Sequence, residues 1–265
     1  MLKRLCITFA LCLAGAAAAQ DSRLERLDTG DDGRGWEAVG RLDIGGHGFC
    51  TGALISPGVV LTAAHCLYDR DTGTQVDHER IEFLAGWRNG RASAYRWVRR
   101  AVIHPSYDYA GDMTTDRVRH DLALLELHHP IRNTQVIPFQ TDTNPIKGQK
   151  IGVVSYARGR SDAPSLQQVC DVMARQQGML VTSCDVDFGA SGAPIFSFQG
   201  GQARIVSVVS AMADLKGQKV SLAAPLDGPL QDLLALLDGS GTEIAPRRLF
   251  TTGTARDTGA KFGRP

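Results

Sequence analysis

Short apolar runs separated by Gly, Pro and Asp cover most of the chain from residue 36 onward. Each run has about the length of a β-strand, and their spacing is typical of an antiparallel barrel or sandwich. Helix-like spacing of leucines appears at Pro229–Leu237 and predicts one amphipathic helix. The apolar runs are 36–42, 49–55, 59–63, 81–85, 95–103, 122–127, 150–155, 166–173, 178–184, 193–198 and 203–210.

Residues 1–19 have the pattern of a secretory signal peptide. A basic start precedes the apolar run 5–15, and the alanines at 17–19 are the small residues that a signal peptidase requires. The apolar run is shorter than the ~18 residues that a membrane span needs. We therefore predict cleavage before Gln20 and an exported protein, either periplasmic or extracellular.

Two polar segments flank the predicted folded part, which covers residues 36–238. Residues 20–35 are rich in Gly and Asp and predict a flexible leader or a short propeptide. Residues 239–265 are rich in Thr, Gly and Arg and predict a polar, mobile tail.

Composition excludes several classes of function. The chain has 29 Lys and Arg against 28 Asp and Glu, and loss of two basic residues with the signal changes the net charge from +1 to −1. A nucleic-acid binder is normally strongly basic, so we expect no nucleic-acid partner. No later apolar run is long enough to span a membrane, so we expect no membrane association after signal removal. The length allows one large β domain or two smaller ones, and we expect a monomer.

Three short segments carry a histidine, an aspartate and a serine, in that order. They are LTAAHC at 61–66, HDLALL at 120–125 and GASGAP at 189–194. Together they resemble the chymotrypsin/trypsin-like serine proteases, in particular the secreted bacterial members, which include glutamyl endopeptidases. The segments FCTGALI at 49–55 and HPSY at 104–107 extend the resemblance, which covers about residues 36–237.

The resemblance implies an all-β fold of two packed six-stranded antiparallel β-barrels with a C-terminal helix, and an active site in the cleft between them. It implies that Ser191 is the nucleophile, His65 its base and then acid, and Asp121 the residue that orients His65. The backbone N–H groups of Gly189 and Ser191 would form the oxyanion hole, because the surrounding glycines allow a sharp turn.

The predicted function is therefore hydrolysis of polypeptides through an acyl-enzyme, with no cofactor and no metal. The remaining histidines show no metal-site spacing with a carboxylate. Two alternatives stay open: a non-catalytic binding protein on the same fold, and an esterase with weak peptidase activity.

Four cysteines remain after signal removal, which in an exported protein suggests two disulfides. The resemblance implies that Cys50 bonds Cys66. Cys170 and Cys184 are equally distant from Gln177, and a hairpin that turns there would place them opposite each other. We therefore expect a second disulfide between Cys170 and Cys184.

Three residues are candidates for substrate binding. Asp185 falls where trypsin-like members carry the acid that receives Arg or Lys, although Asp187 competes for this role. Ser207 lies on the strand that would pair with substrate, and Val209 stands where a glycine would keep a deep pocket open. Cleavage after basic residues and cleavage after small or apolar residues both remain open. A glutamyl preference is disfavoured, because this strand carries no histidine.

The chain also departs from the resembled family in its expected activation. Ala190 stands where an aspartate would pair with a newly cleaved N-terminus, and no Ile-Val-Gly-Gly-like start occurs near Trp36. We expect the loop before Ser191 to be folded without that switch.

Overall fold

The computed structural model describes residues 23–143 and 145–239. The predicted signal peptide lies outside the described residues, as does the predicted tail beyond residue 239. The fold prediction is confirmed: the chain forms two six-stranded antiparallel barrels and a C-terminal helix. None of the helices in the described ranges has the length and apolar character needed to cross a membrane.

The first barrel closes in the strand order β2-β3-β4-β7-β6-β5, and the pairing of β2 with β5 completes the ring. Every run predicted between residues 36 and 127 contributes to one of these strands. Their bounds are β2 Val39–Ile44, β3 Phe49–Ser56, β4 Val59–Thr62, β5 Ile81–Ala85, β6 Ala94–Ile103 and β7 Ala123–Leu127.

The second barrel consists of β9-β10-β11-β14-β13-β12, and pairings of β9 with both β10 and β12 close it. Two short strands lie at its margin, β1 Glu25–Arg26 on β10 and β8 Gln140–Thr141 on β13. The six barrel strands are β9 Lys150–Ala157, β10 Arg160–Gln176, β11 Met179–Thr182, β12 Pro194–Ser197, β13 Arg204–Leu215 and β14 Gln218–Pro225.

The apolar pattern did not predict strand β14, one short helix, the two-residue strands β1 and β8, or the 3-10 turns. Strand β14 begins with Gln-Lys and contains Ser and Ala, so its sequence lacks a continuous apolar run. Helix α1 spans Thr115–Arg119, too short for helical periodicity, and it begins where the Thr114 hydroxyl accepts a hydrogen bond from the Arg117 N–H.

Helix α2 confirms the predicted Pro229–Leu237 helix to the residue. Proline at its first position needs no hydrogen-bond partner for its nitrogen, which suits a helix start. The buried side chains Leu230, Leu233 and Leu237 form its inner face. Although α2 follows the second barrel in the chain, it packs against β6 and β7 of the first barrel and so ties the two barrels together.

The described part of the predicted leader is attached to the second barrel. Glu25 and Arg26 pair with Leu166 and Ser165 of β10. Leu27 is buried, and its N–H donates to the Pro164 carbonyl. Residues 25–27 therefore add an edge to the barrel, while removal of this segment as a propeptide stays a prediction.

Candidate active site

A cavity of about 400 Å³ lies where the two barrels meet. Its wall includes His65 and Asp121 from the first barrel and Ser191 from the second. The structure thus brings the three residues of the sequence prediction to one cavity, although they are distant in the chain.

His65 and Asp121 are joined by two hydrogen bonds. The imidazole Nδ1 lies 2.7 Å from Asp121 Oδ2, and the backbone N–H of His65 donates to Asp121 Oδ1 at 2.8 Å. His65 lies in a short 3-10 turn directly after β4, and Asp121 lies between α1 and β7. Because the ionised carboxylate can only accept, it holds the Nδ1–H tautomer and leaves Nε2 able to take a proton.

The Asp121 carboxylate accepts a third hydrogen bond, from a residue that the sequence did not predict. The carboxylate is only 3% exposed, and the Ser210 hydroxyl also donates to its Oδ2. Ser210 sits at an irregularity in the β13–β14 register, between Val209 and Ala211. A bulge of this kind re-aims a side chain. The bulge explains the miss, because the apolar pattern identifies Ser210 only as the end of a strand.

The loop around Ser191 is shaped by two glycines in the left-handed region. Gly189 has φ +97°, and a Cβ there would lie 2.3 Å from the Phe49 ring. Gly192 has φ +78°, and a Cβ there would lie 2.3 Å from the Thr51 carbonyl oxygen. Neither position has room for a side chain, so the glycines fix the close approach of this loop to the first barrel.

The same loop leaves two amide groups available. Within residues 23–143 and 145–239, the N–H groups of Gly189 and Ser191 donate to no backbone carbonyl, whereas those of Ala190, Gly192 and Ala193 do. Unpaired backbone donors beside a candidate nucleophile are what a developing oxyanion requires.

Thr51 of the first barrel holds the loop in place and was also missed. Its N–H donates to the Ser191 carbonyl at 2.9 Å, and its hydroxyl donates to the Gly189 carbonyl at 2.9 Å. The hydroxyl also accepts from the Tyr156 N–H at 3.1 Å. A fully buried threonine therefore links both barrels on the carbonyl side of the loop, leaving its amides unengaged.

Both expected disulfides are present, Cys50–Cys66 and Cys170–Cys184. The second pair depends on a bulge: the hairpin turns at Gln177 and Gly178, and the register shifts between Val172 and Ala174. That shift of one residue brings Cys170 opposite Cys184, with their Cα atoms 5.0 Å apart.

The Cys50–Cys66 pair lies beside His65, and the ligand atoms of these three residues are close enough together to contact a single metal ion. Because both sulfurs are bonded to each other, the group keeps only the imidazole as a ligand.

The three candidate substrate-binding residues lie in different surroundings. Val209 lines the cavity. Asp185 is exposed and lines a neighbouring cavity of about 560 Å³, together with Asp187 and Asp214. Ser207 is fully buried and its hydroxyl donates to the Ala224 carbonyl, so the structure does not support the predicted contact between Ser207 and substrate.

The structure adds Met212 and Tyr107 to the wall. Met212 is 45% exposed and lines both cavities, which therefore adjoin at its side chain. Burial raises the pKa of Tyr107, and the nearby Asp121 carboxylate raises it further. The Tyr107 phenol therefore stays protonated at neutral pH and supplies a neutral surface beside the His65–Asp121 pair.

Comparisons with known proteins find similar sequences among proteases. Serine protease 23 of Rattus norvegicus is 31% identical over 206 residues, which cover 68% of this chain and 53% of the rat protein. A glutamyl endopeptidase of Bacillus licheniformis is 25% identical over 150 residues, covering 56% of this chain and 45% of that protein. The chain spans about half the length of the curated relatives it matches. Since they include mammalian and bacterial proteins, the bacterial origin stays a prediction.

A solved structure of a Glu endopeptidase in complex with MPD superposes with a TM-score of 0.67. It is 17% identical in sequence, and the match covers 81% of this chain and 97% of that one. At this identity the likeness supports the fold. The family model described as Trypsin matches residues 30–227, from before β2 to just ahead of α2. That match spans both barrels and all three candidate catalytic residues, and the chain belongs to the Trypsin family.

Proposed function

We propose that this chain is an exported serine endopeptidase that cleaves polypeptides through an acyl-enzyme, with His65, Asp121 and Ser191 as its catalytic triad. The observation that carries the proposal is the pair of hydrogen bonds from His65 to the buried Asp121, at the wall of a cavity that Ser191 also lines. Membership of the Trypsin family supports the same activity.

In the proposed reaction, His65 Nε2 takes the proton of the Ser191 hydroxyl as its oxygen attacks the scissile carbonyl carbon. The resulting imidazolium is stabilised by Asp121, which stays ionised. The carbonyl oxygen becomes an oxyanion that accepts hydrogen bonds from the N–H groups of Gly189 and Ser191. His65 then gives its proton to the leaving amine, and a water molecule hydrolyses the acyl-enzyme by the same steps.

The acyl side of the substrate would occupy the cavities beside β13. Asp185, Asp187 and Asp214 favour a basic side chain in the second cavity, and Lys219 is the cation among the residues that line it. Met212 and Val209 favour a small side chain in the first cavity. A side chain as acidic as glutamate would meet three carboxylates in the second cavity. A peptide library that varies the residue before the cleaved bond separates these preferences.

Labelling with a fluorophosphonate, alongside turnover of matched peptide and ester substrates, tests the activity. We expect the folded protein to be labelled and to cleave both substrates, and Ser191→Ala to lose the label and nearly all turnover. The exposed Ser106→Ala provides the matched control and should behave as wild type. Absence of both label and turnover would instead favour a binding protein, and ester turnover without peptide turnover would favour an esterase.

The leader is proposed to remain part of the folded enzyme, because β1 and Leu27 extend the second barrel. Proteins that start at Gln20 and at Trp36 test this. We expect similar turnover per folded molecule and a lower free energy of unfolding for the shorter protein. A large rise in turnover on exposing Trp36 would instead identify residues 20–35 as an inhibitory propeptide.

A further inference from the structure

Two arginines that the proposed reaction does not use stack on one aromatic ring at the edge of the active-site cavity. The ring belongs to Phe188, which lines the cavity and directly precedes Gly189. The Cζ atom of Arg158 lies 4.3 Å from the ring centroid, and that of Arg70 lies 5.3 Å from it. Because Phe188 is 44% exposed and both arginines are exposed, a bound substrate can reach all three side chains.

The two arginines come from opposite sides of the cleft. Arg70 follows His65 by five residues, in the loop beyond the first-barrel 3-10 turn, and also lines the cavity. Arg158 lies in the turn between β9 and β10 of the second barrel, and its N–H donates to the Phe188 carbonyl at 2.7 Å. The fold therefore brings two positive charges together next to the proposed oxyanion hole.

No carboxylate of the described residues is paired with either arginine. Across the part of the chain that the structure describes, neither Arg70 nor Arg158 forms an ion pair. The neighbouring Asp69 is paired with His47. The Asp187 carboxylate accepts from the Phe188 N–H at 2.6 Å. Stacking on an aromatic face stabilises each cation, but the proximity of two like charges favours an anion between them.

We propose that Arg70, Arg158 and Phe188 form a subsite for a carboxylate side chain of the substrate, on the residues that follow the cleaved bond. The subsite rests on the proposed peptidase function. Guanidinium groups bind carboxylates through charge-assisted hydrogen bonds, and Arg can present two parallel donors to one carboxylate.

The placement after the cleaved bond follows from the neighbours of Ser191. On one side, β13 borders the loop: the Gly192 N–H donates to the Val209 carbonyl, and the Val209 N–H donates to the Ala193 carbonyl. The acyl part of the substrate is proposed to lie there. On the other side, the Arg158 turn borders Phe188 and Gly189. Phe188 also lines the second cavity, but neither arginine does. The leaving part of the substrate is therefore directed towards the arginines.

Matched pairs of internally quenched peptides test the subsite with the full chain. Each pair differs by Asp against Asn, or Glu against Gln, at one of the first three positions after the cleaved bond. We expect the acidic peptide of at least one pair to have a kcat/KM about three- to tenfold higher at low salt. We expect this ratio to approach one near 1 M salt, where the screening length falls to about 3 Å.

Variants then assign the preference to the two arginines. Arg70→Ala and Arg158→Ala should each lower the acid-to-amide ratio, and the double variant should bring it close to one. The exposed Arg132→Ala, which lies outside the cavity wall, should keep the wild-type ratio. Because the ratio compares two peptides on the same preparation, a general loss of activity cancels out. Arg158→Lys keeps the charge and should retain most of the preference.

The outcomes separate the subsite from the proposed function. If wild type cleaves the neutral peptides but shows a ratio of one at all three positions, the subsite is wrong and the peptidase proposal stands. A preference that survives in the double variant, or that is insensitive to salt, also overturns the subsite. If wild type cleaves none of the peptides and takes no fluorophosphonate label, the proposed function fails and the subsite fails with it.

Discussion

The two barrels contribute to the cavity in different ways. The first barrel contributes functional side chains: His65 and Asp121 are hydrogen-bonded to each other, and Asp121 also accepts from Ser210. The second barrel contributes a backbone shape: Gly189 and Gly192 bend the loop so that its amides stay unpaired. An acid–base pair requires particular side chains, whereas an oxyanion site requires particular dihedral angles.

The strands of the two barrels differ in a corresponding way. The first barrel has register irregularities at two places and the second at five. Bulges bend a strand and redirect its side chains, and they occur often next to active sites. In the second barrel, one bulge turns Ser210 towards Asp121 and another aligns Cys170 with Cys184. The second barrel therefore depends more on backbone detail than the first.

The largest expected effect comes from the side-chain contribution of the first barrel. Asp121→Asn keeps the size of the group but offers an NH2 or a neutral oxygen to His65 Nδ1, so the imidazole no longer keeps the tautomer that accepts the serine proton. We expect kcat/KM to fall about 10⁴-fold, the size of loss known for this change in the general Ser-His-Asp template.

Peptide turnover measures the loss of activity, and far-UV circular dichroism checks that the variant is folded. The exposed Asp162→Asn serves as the matched control, and its turnover should equal that of wild type. If Asp121→Asn folds normally and its kcat/KM falls less than tenfold, Asp121 does not orient the base, and the assignment of the triad is wrong.

The next effect tests the backbone contribution of the second barrel. Gly192→Ala places a Cβ 2.2 Å from the Thr62 hydroxyl and 2.3 Å from the Thr51 carbonyl oxygen, so the loop must move. A displacement of 1 Å in a catalytic group lowers the reaction rate about a hundredfold, so we expect turnover to fall at least a hundredfold. Gly159→Ala is the matched control: its φ is +76°, and nothing lies within 4 Å of the added Cβ.

Gly159→Ala should lose about 1–2 kcal/mol of unfolding free energy through backbone strain alone and should keep its turnover. Both variants are measured by urea unfolding and by peptide cleavage. Equal turnover in the two variants would mean that the position of the loop does not limit the reaction, and that the comparison between the barrels is wrong.

The sequence predicts the features of the molecule that residue type determines. Apolar runs predict most barrel strands, and the leucine spacing predicts α2 to the residue. Residue identity also predicts that His65, Asp121 and Ser191 meet at one cavity. By contrast, Ser210 and Thr51 were missed, because their roles depend on a bulge and on a contact between barrels. The burial of Ser207 was not predicted either, because alternation along a strand does not show which hydroxyl is already bonded inside the barrel.

Removing the disulfide of each barrel in turn compares the two barrels, with a smaller expected effect on turnover than the substitutions above. The bonded cysteines are separated by 16 residues in the first barrel and by 14 in the second. Loop entropy predicts a similar stabilisation of about 3 kcal/mol for each. We expect Cys50→Ala/Cys66→Ala and Cys170→Ala/Cys184→Ala to lose similar unfolding free energies in urea. Turnover should fall more in the first double variant, because Cys66 is adjacent to His65. A greater loss of turnover in Cys170→Ala/Cys184→Ala would contradict this expectation.

The smallest effect concerns the contact between the first barrel and α2. His104 follows β6 and is 4% exposed. Its Nε2 lies 3.5 Å from Oδ2 of Asp232 in α2. Its Nδ1 accepts from the Ser106 N–H, and its ring stacks on His120 with centroids 4.6 Å apart. Burial lowers the pKa of His104, and His120 lowers it further, while Asp232 opposes the shift.

A lowered pKa means that the unfolded chain binds a proton at His104 more readily than the native protein does. The free energy of unfolding therefore decreases as the pH falls from about 6.5, the ordinary value, towards the native pKa. Urea unfolding at pH 7.5 and pH 5 measures this loss, which should be smaller in His104→Gln than in wild type. The exposed His128→Gln should show the wild-type loss. An unchanged loss in His104→Gln would show that acid destabilises the protein elsewhere, for example at Asp69, whose pKa is lowered by the hydrogen bonds it accepts from Thr72.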